Sequence, residues 1–392
     1  MTSIFDGPYF KVNKFMAQVC GVWPYQSKMK NFITFTIFAL TGFSFLFALL
    51  SGLMQEWSTD VIIILETLVI FVFVLGGTVN NVILYTHQST TKFLYERILK
   101  DWREISDINE RAILEKHTKS GQDHIVVSLL FLVVSFIVTT LVPFLPRLLE
   151  PTESTGYSYD FPYYCHCLII SQAFQHYQVF AHFFSSMILI NLAYMAFSRT
   201  FIANVRHVCA LYAIARYRLE NVMKPRGKNF HLTQDDLVSN LISAIREHNQ
   251  AISYLELIEN TFSGPLFVTE FMGLACMAIL IFDIKNHLNN TPQVIRLIFM
   301  LAQFCLYLLT LNATGEQVLK SCDDFLIAAY FIEWYKMPLK ARKFLLMIMI
   351  RAKKRNHLTA ASLVTLSMET YAMVIRTSWS FATVLLTALN EK

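Results

Sequence analysis

Hydroxyl side chains are concentrated in the last apolar segment of this 392-residue chain, at about 363–389. They are Thr365, Ser367, Thr370, Thr377, Ser378, Ser380, Thr383 and Thr387. On a helix turning about 100° per residue, one stripe collects Thr370, Met373, Thr377, Ser380, Val384 and Thr387. Such a stripe either lines water in an oligomeric pore or hydrogen-bonds to neighbouring helices in a packed bundle.

Two residues of the same segment bear on that choice. Arg376 is an ionised group at membrane depth, and such groups usually face protein or a water-filled cavity because exposure to lipid is costly. The sequence does not name its partner. Val384 is the aliphatic residue of the stripe nearest its outer end, where a hydrophobic constriction could gate a pore by dewetting. An ordinary packing valine would fit the same pattern.

A second group of residues could surround a small apolar ligand. Aromatic, small and weakly polar side chains recur in the outer halves of five apolar segments, and they are Phe73, Ser135, Thr139, Tyr177, Phe180, Ala181, Phe184, Met272, Cys276, Ile298 and Leu301. Pockets for small ligands are lined in this way. Tightly packed cores have the same composition, so both interpretations stay open for each residue.

Enzymatic or metal chemistry is not indicated. The chain has no nucleophile elbow, HExxH or Walker motif. Its seven cysteines are scattered without a CxxC pair, so no zinc site is expected. Whether Cys165 or Cys167 is bridged stays open. We expect a protein that is not an enzyme and has no cofactor and no nucleic-acid partner.

Seven apolar segments must position these residues. Each has the roughly 20 residues that a helix needs to cross a hydrocarbon layer of ~30 Å. They lie at about 32–53, 61–85, 125–145, 171–197, 261–282, 294–313 and 363–389. Hydrophobic residues make up 55% of the chain and charged residues 16%, against about 45–50% and about 25% in soluble domains. The predicted fold is an all-α integral membrane protein with seven transmembrane helices and no signal peptide.

The basic residues predict the orientation. Nearly all of the 33 Lys and Arg residues lie in the N-terminal segment and in the loops after the second, fourth and sixth spans. The opposite side has only Arg147, Lys285, Arg296 and Lys392. Because cytoplasmic loops carry the basic excess, we expect a cytosolic N-terminus and an extracellular C-terminus. The sequon at Asn289 then lies outside, where a glycan could be added.

The cytosolic loops are predicted to be helical because apolar residues continue through them at helical spacing. Thr233 with Asp236 resembles a capping box that opens a helix with an apolar face at Leu237, Leu241, Ile245, Ile252 and Leu255. After the sixth span, 315–335 and 339–354 continue as helices on either side of Pro338. Their basic ends face either solvent or anionic lipid.

The C-terminal third carries a family resemblance. Its motifs are Gly315-Glu316-Gln317, Ser321, Ala329-Tyr330, Trp334-Tyr335, Arg342-Lys343, Leu346-Met347-Ile348-Met349, Arg351, Leu358-Thr359-Ala360, Thr370-Tyr371 and Ser380-Phe381, in this order. With Pro8-Tyr9-Phe10, Trp23-Pro24 and the seven-span layout, the chain resembles an insect odorant receptor over essentially its whole length.

The resemblance implies an odorant-gated, non-selective cation channel, a heterotetramer of tuning subunits and a shared co-receptor, in the plasma membrane of olfactory sensory neuron dendrites. Residues 1–314 would form spans one to six with the site for a small volatile ligand. Residues 315–358 would form the cytosolic anchor between subunits, and residues 359–392 the last helix, which lines the pore. Matching the last helix to the family places the gate at Val384, with Thr387 and Ala388 just outward and Thr377 and Ser380 inward.

Two departures refine the resemblance. The stretch between spans four and five is shorter than in the co-receptor, which favours a tuning subunit. Gustatory receptors have Gln-Phe after the Thr-Tyr motif and five apolar residues, whereas this chain has Thr377-Ser378 there. A gustatory-type channel and a seven-helix receptor that signals without conduction remain the alternatives. A G-protein-coupled receptor would need the opposite orientation, and a transporter would be expected to show inverted repeats.

Overall fold

The computed structural model describes residues 4–7, 10–56, 61–141, 172–224, 233–354 and 356–390. Within these ranges the chain is almost entirely helical. The α-helices are α1 (Lys11–Val19), α2 (Lys28–Glu56), α3 (Val61–Thr86), α4 (Gln88–Glu104), α5 (Ile108–Leu141), α6 (Gln172–Glu220), α7 (Gln234–Asn286), α8 (Thr291–Phe331), α9 (Leu339–Lys353) and α10 (Met368–Asn390). Two 3-10 turns (Ile4–Asp6 and Trp334–Lys336) and a hairpin of β1 (Thr359–Ala360) and β2 (Val364–Thr365) complete the described elements.

Five of the described helices are long and apolar enough to cross a membrane, namely α2, α3, α6, α7 and α8. The third predicted span runs beyond α5 into residues outside the described ranges. The last helix, α10, has 23 residues and is not among these five. The multi-pass helical architecture is thus confirmed, and the total of seven spans stays a prediction.

Three helices are much longer than a bilayer is thick. Helices α6, α7 and α8 have 49, 53 and 41 residues. At 1.5 Å per residue, α7 extends ~80 Å, more than twice the ~30 Å of hydrocarbon. The predicted cytosolic helices are therefore direct continuations of the spans, and they pack into a second layer together with α4 and α9.

The start of α7 follows from its sequence. The Thr233 side chain accepts a hydrogen bond from the backbone N–H of Asp236, whose carboxylate accepts one from the backbone N–H of Thr233. The predicted capping box is therefore confirmed. Of the predicted apolar face, Leu237 and Leu241 are buried in a cytosolic cluster that includes Phe325 of α8.

An ion triad joins three helices of the layer that is predicted to be cytosolic. The Arg218 guanidinium on α6 makes two hydrogen bonds to Glu110 on α5, at 2.7 and 2.8 Å. A third bond of 2.8 Å reaches Glu247 on α7. The hydrogen bond with Glu110 raises the pKa of Arg218, so its charge is held. Because all three groups are largely buried, the triad fixes how α5, α6 and α7 dock.

The last apolar segment was predicted to be helical from residue 363, and this boundary is wrong. Residues 359–365 form the β1–β2 hairpin, whose turn residues Ala361 and Ser362 have positive φ, and α10 starts only at Met368. The hairpin is held by Glu259, which accepts a 2.8 Å bond from the Thr359 backbone N–H. Leu366, the residue after the hairpin, packs directly on Gly315, where a Cβ would clash with it.

Arg296 was counted in an outer loop, and the structure corrects this. It lies inside α8, almost fully buried, and its Nη2 donates a 2.8 Å bond to Glu66 of α3. Gln293 donates a second bond of 2.7 Å to the same carboxylate. Placing Arg296 inside α8 does not reduce the excess of Lys and Arg residues in the loops that are predicted to be cytosolic.

We expect Arg218→Met to lower the free energy of unfolding by about 3–5 kcal/mol, because it leaves two buried carboxylates without their cation. The matched control is Arg216→Met, whose ion pair with Glu220 is more than two-fifths exposed and should contribute less than about 1 kcal/mol. Denaturant titration in detergent micelles measures both. Equal losses for the two variants would contradict the role given to the triad.

Candidate ligand cavity and last helix

The helices that cross the membrane enclose a cavity of about 390 Å³. Its outer end is lined by Phe73 of α3, Asn191 of α6, and Gln303 and Phe304 of α8. A smaller cavity of about 50 Å³, also lined by Thr139 of α5, shares these four residues. We call the region around the four shared residues the outer pocket. Four helices thus contribute to one mostly apolar space of small-molecule size.

A chain of hydrogen bonds crosses the outer pocket. The Ser135 hydroxyl on α5 donates to the Gln303 side-chain carbonyl at 2.8 Å. The Gln303 amide donates to Asn191 Oδ1 at 3.1 Å, and the Asn191 amide donates to the Met187 carbonyl at 2.8 Å. Since the three side chains belong to three helices, the chain both ties the bundle together and supplies polar atoms beside the cavity.

Aromatic side chains form one wall of the cavity. The rings of Phe73 and Tyr194 stack with centroids 4.9 Å apart, and the Tyr194 hydroxyl donates a 3.0 Å bond to the Phe73 carbonyl. Tyr307 packs edge-on against Tyr194, with ring centroids 5.2 Å apart. The Tyr307 hydroxyl is buried and has no hydrogen-bond partner among the described residues. A ligand with a polar group could satisfy it.

The predicted ligand residues fall into three groups. Phe73, Thr139 and Met272 line the cavities, and Ser135 reaches them through Gln303. Cys276 and Leu301 instead pack between α3, α7 and α8. Ala181, Phe184 and Ile298 line neither cavity and are exposed. The side chains of Tyr177 and Phe180 lie outside the described ones.

Sequence reasoning missed Asn191, Gln303, Tyr194 and Tyr307. The sequence does contain a signal for these four residues, because two amide and two phenol side chains interrupt otherwise apolar segments. An uncompensated amide is costly in a bilayer, so each of them requires a partner or a cavity. The pattern gives no way to tell which of the neighbouring helices supplies that partner.

The last helix has one buried edge and one exposed stripe. Val374, Ser378 and Ala382 pack inward, and the Ser378 hydroxyl donates a 3.2 Å bond to the Leu274 carbonyl of α7. Most of the predicted polar stripe points away from the chain, with Met373, Ser380, Val384, Thr387 and Ala388 exposed and Thr377 half-buried. Thr370 was predicted to belong to this stripe, and this prediction is wrong. Its side chain is buried, and its hydroxyl donates a hydrogen bond to the Thr365 carbonyl.

Arg376 is also exposed on α10. Within the described part of the chain its guanidinium has no ion pair or hydrogen bond. The isolated subunit therefore presents a charge and a row of hydroxyls that lipid alone would solvate poorly.

The chain has two sequons, at Asn289 and at Asn312 (Asn312-Ala313-Thr314), and they differ in accessibility. Asn289 is exposed in the turn between α7 and α8. Asn312 is fully buried on α8, where its amide donates a 2.6 Å bond to Glu270. Only Asn289 is placed for modification.

We expect Gln303→Leu to lower the free energy of unfolding by about 1–2 kcal/mol, because Ser135 and Asn191 lose their shared partner. In that background Ser135→Ala should cost little more, whereas it should be costly in the wild type. Thr310→Val on the same helix is the control, because the Thr310 hydroxyl bonds only to its own helix at Leu306. Additive effects of the Gln303 and Ser135 changes would refute the hydrogen-bonded chain.

Comparison with known structures gives the same fold. Olfactory receptor OR5 of Machilis hrabei, solved in complex with eugenol, superposes with a TM-score of 0.80 at 12% identity, covering 97% of both chains. A second structure of OR5 superposes with a TM-score of 0.77 at 14% identity, covering 99% of this chain and 100% of the other. At such identities the likeness shows the fold alone.

Sequence comparison identifies the family. Odorant receptor 10 of Aedes albopictus is 21% identical over 38% of this chain and 40% of its own length. Odorant receptor 2a of Drosophila melanogaster is 22% identical over 42% of each chain. These matches span less than half of either relative. The family model for the 7tm odorant receptors, in contrast, matches residues 60–379. The chain therefore belongs to the odorant receptor family of insects.

Proposed function

We propose that this chain is the ligand-tuning subunit of an odorant-gated, non-selective cation channel. It binds a small volatile molecule in the outer pocket and forms a pore with the last helix of each subunit. The partners are the odorant co-receptor, the lipid bilayer and permeant cations. The site of action is the plasma membrane of an olfactory sensory neuron dendrite.

The observation that carries the proposal is the outer pocket itself. Its apolar wall suits a volatile molecule, and Gln303 and Asn191 place polar atoms at one side to orient it. The pocket lies within the bundle and not at its surface, so burial of the ligand's apolar area supplies the affinity. The complex of Machilis hrabei OR5 with eugenol supports a ligand of this class.

The exposed stripe of α10 supports the pore. The hydroxyls of Thr377 and Thr387 donate to carbonyls of α10 itself, and Ser380 is exposed on the same stripe. In an assembly with the stripes turned toward a common axis, these side chains would line water, and Val384 would be the aliphatic constriction between them. Ala388 lies outward of the gate.

The cytosolic layer supports assembly. Helices α8 and α9 and the 3-10 turn between them leave large apolar residues exposed within 315–358, among them Phe331, Trp334, Leu339 and Met347. Exposed apolar surface of this kind marks protein interfaces. The stretch between spans four and five, residues 197–261, is shorter than in the family's co-receptor, which supports a tuning subunit.

Whole-cell recording tests the function. The chain is expressed alone and together with the co-receptor, and a panel of volatile odorants and a panel of soluble tastants are applied to each. We expect odorant-evoked cation current only when both chains are present. Surface-expressed subunits that give no current with any odorant, yet change a second messenger, would favour a receptor that signals without conduction. Responses to soluble tastants only would favour a gustatory-type channel.

We expect Val384→Ala to raise the ligand-independent current several-fold, because a smaller side chain weakens a dewetting gate. The control is Leu386→Ala, which removes a similar side chain about 160° away around the helix. Currents without odorant, normalised to surface expression, measure the effect. An unchanged resting current in Val384→Ala would remove this residue from the gate.

The orientation is tested at the sequon. Wild-type protein should show a glycosidase-sensitive mobility shift on a gel, and Asn289→Gln should abolish it. Asn290→Gln is the control in the same turn, because it leaves the sequon intact. A C-terminal tag that antibodies reach only after permeabilisation would contradict the proposed orientation.

A further inference from the structure

The inner end of the large cavity has a different chemistry from its outer end. Arg199 and Arg206 of α6 line it, together with Gln317 of α8 and Met368, the first residue of α10. Both arginines follow the predicted inner end of the fourth span at residue 197. The outer pocket with Gln303 is a separate part of the same cavity.

The Arg199 guanidinium is buried without a counter-ion. The residue is 3% exposed, and its Nε and Nη1 have no hydrogen-bond partner. Arg206 is 8% exposed, and its only bond is a 3.1 Å contact from Nη1 to the Ser120 hydroxyl. Within the described part of the chain, neither arginine forms an ion pair.

Three acidic groups of the described part of this layer are engaged elsewhere. Asp101 lies 2.9 Å from His207 Nε2 and also pairs with Arg97. Glu110 and Glu247 form the triad with Arg218 described above. A buried cation with no partner is costly, and within the described residues neither of these two arginines, seven residues apart on α6, has a counter-ion, which points to an anion from outside the chain.

The remaining wall is apolar and reaches the surface of the bundle. Phe131 of α5, Ile202 of α6, and Leu306 and Leu309 of α8 line the cavity between the two ends. Leu306 is 40% exposed at the margin. The space thus offers a path for a hydrocarbon chain that runs from the bilayer to the two guanidinium groups.

We propose that the inner end binds the phosphate of an acidic phospholipid from the inner leaflet, with one acyl chain in the apolar part of the cavity. Arginine forks match phosphate oxygens, and the position just past the span is where headgroups lie. The lipid would contact Met368 and so the start of α10. This proposal does not depend on the identity of the odorant.

The test uses purified full-length protein in neutral detergent. Phosphatidylserine, phosphatidylcholine with the same acyl chains, and inorganic phosphate are added separately, and binding is followed by native mass spectrometry and thermal unfolding. We expect phosphatidylserine alone to bind and to raise the melting temperature. Arg199→Gln should weaken this binding by about ten-fold or more, as for loss of a charge-assisted contact. Arg199→Lys should weaken it less.

The control is Arg111→Gln, an exposed arginine of α5 that should leave lipid binding unchanged. Without lipid, Arg199→Gln should be at least as stable as the wild type, because it removes an unpaired buried charge. A marked loss of stability there would overturn the proposal by indicating a partner within the protein. Equal binding of phosphatidylcholine, an equal effect of phosphate alone, or unchanged phosphatidylserine binding by Arg199→Gln would also overturn it.

Discussion

Polar groups inside a bilayer have no water to bind, and this bundle depends on satisfying them between helices. Glu66 with Arg296 joins α3 to α8, Asn312 with Glu270 joins α8 to α7, and Ser378 ties α10 to α7. Below the membrane the Arg218 triad serves the same purpose. Each contact fixes the relative height and rotation of two helices. These helix positions determine the shape of the cavity.

The proposed functional features are exceptions to this rule. The Tyr307 hydroxyl is unpartnered beside the ligand cavity, the stripe of α10 faces outward, and Arg199 is buried without an anion. A bound odorant, a water-filled pore and a lipid phosphate would each supply what the isolated chain lacks. Asp283 is a further exception, with both carboxylate oxygens buried and unpartnered, and it has no assigned role.

Much of the fold could be predicted from the sequence because membrane helices are recognisable from their length and hydropathy. The capping box at Thr233 and the helical cytosolic loops rested on local spacing, so they were predicted correctly. The β1–β2 hairpin was missed because it is stabilised by Glu259 and by close packing on Gly315, neither of which is local in sequence. Hydropathy alone does not separate the hairpin from α10, so its second strand was predicted as part of the last helix.

The site was only partly predictable. Phe73, Thr139 and Met272 were identified because aromatic and small polar residues stand out in apolar segments. Asn191 and Gln303 were missed, since which helices face each other across a bundle is decided by tertiary packing that periodicity does not encode. The same limit applies to Cys276, which packs between α3, α7 and α8.

The most direct test of the central claim is a cryo-electron microscopy structure of the assembled channel with an activating odorant bound. The account predicts ligand density between Phe73, Asn191, Gln303 and Phe304, with the α10 stripes facing a common axis. Odorant density at any other location, or α10 stripes buried against lipid or a neighbouring helix, would contradict it.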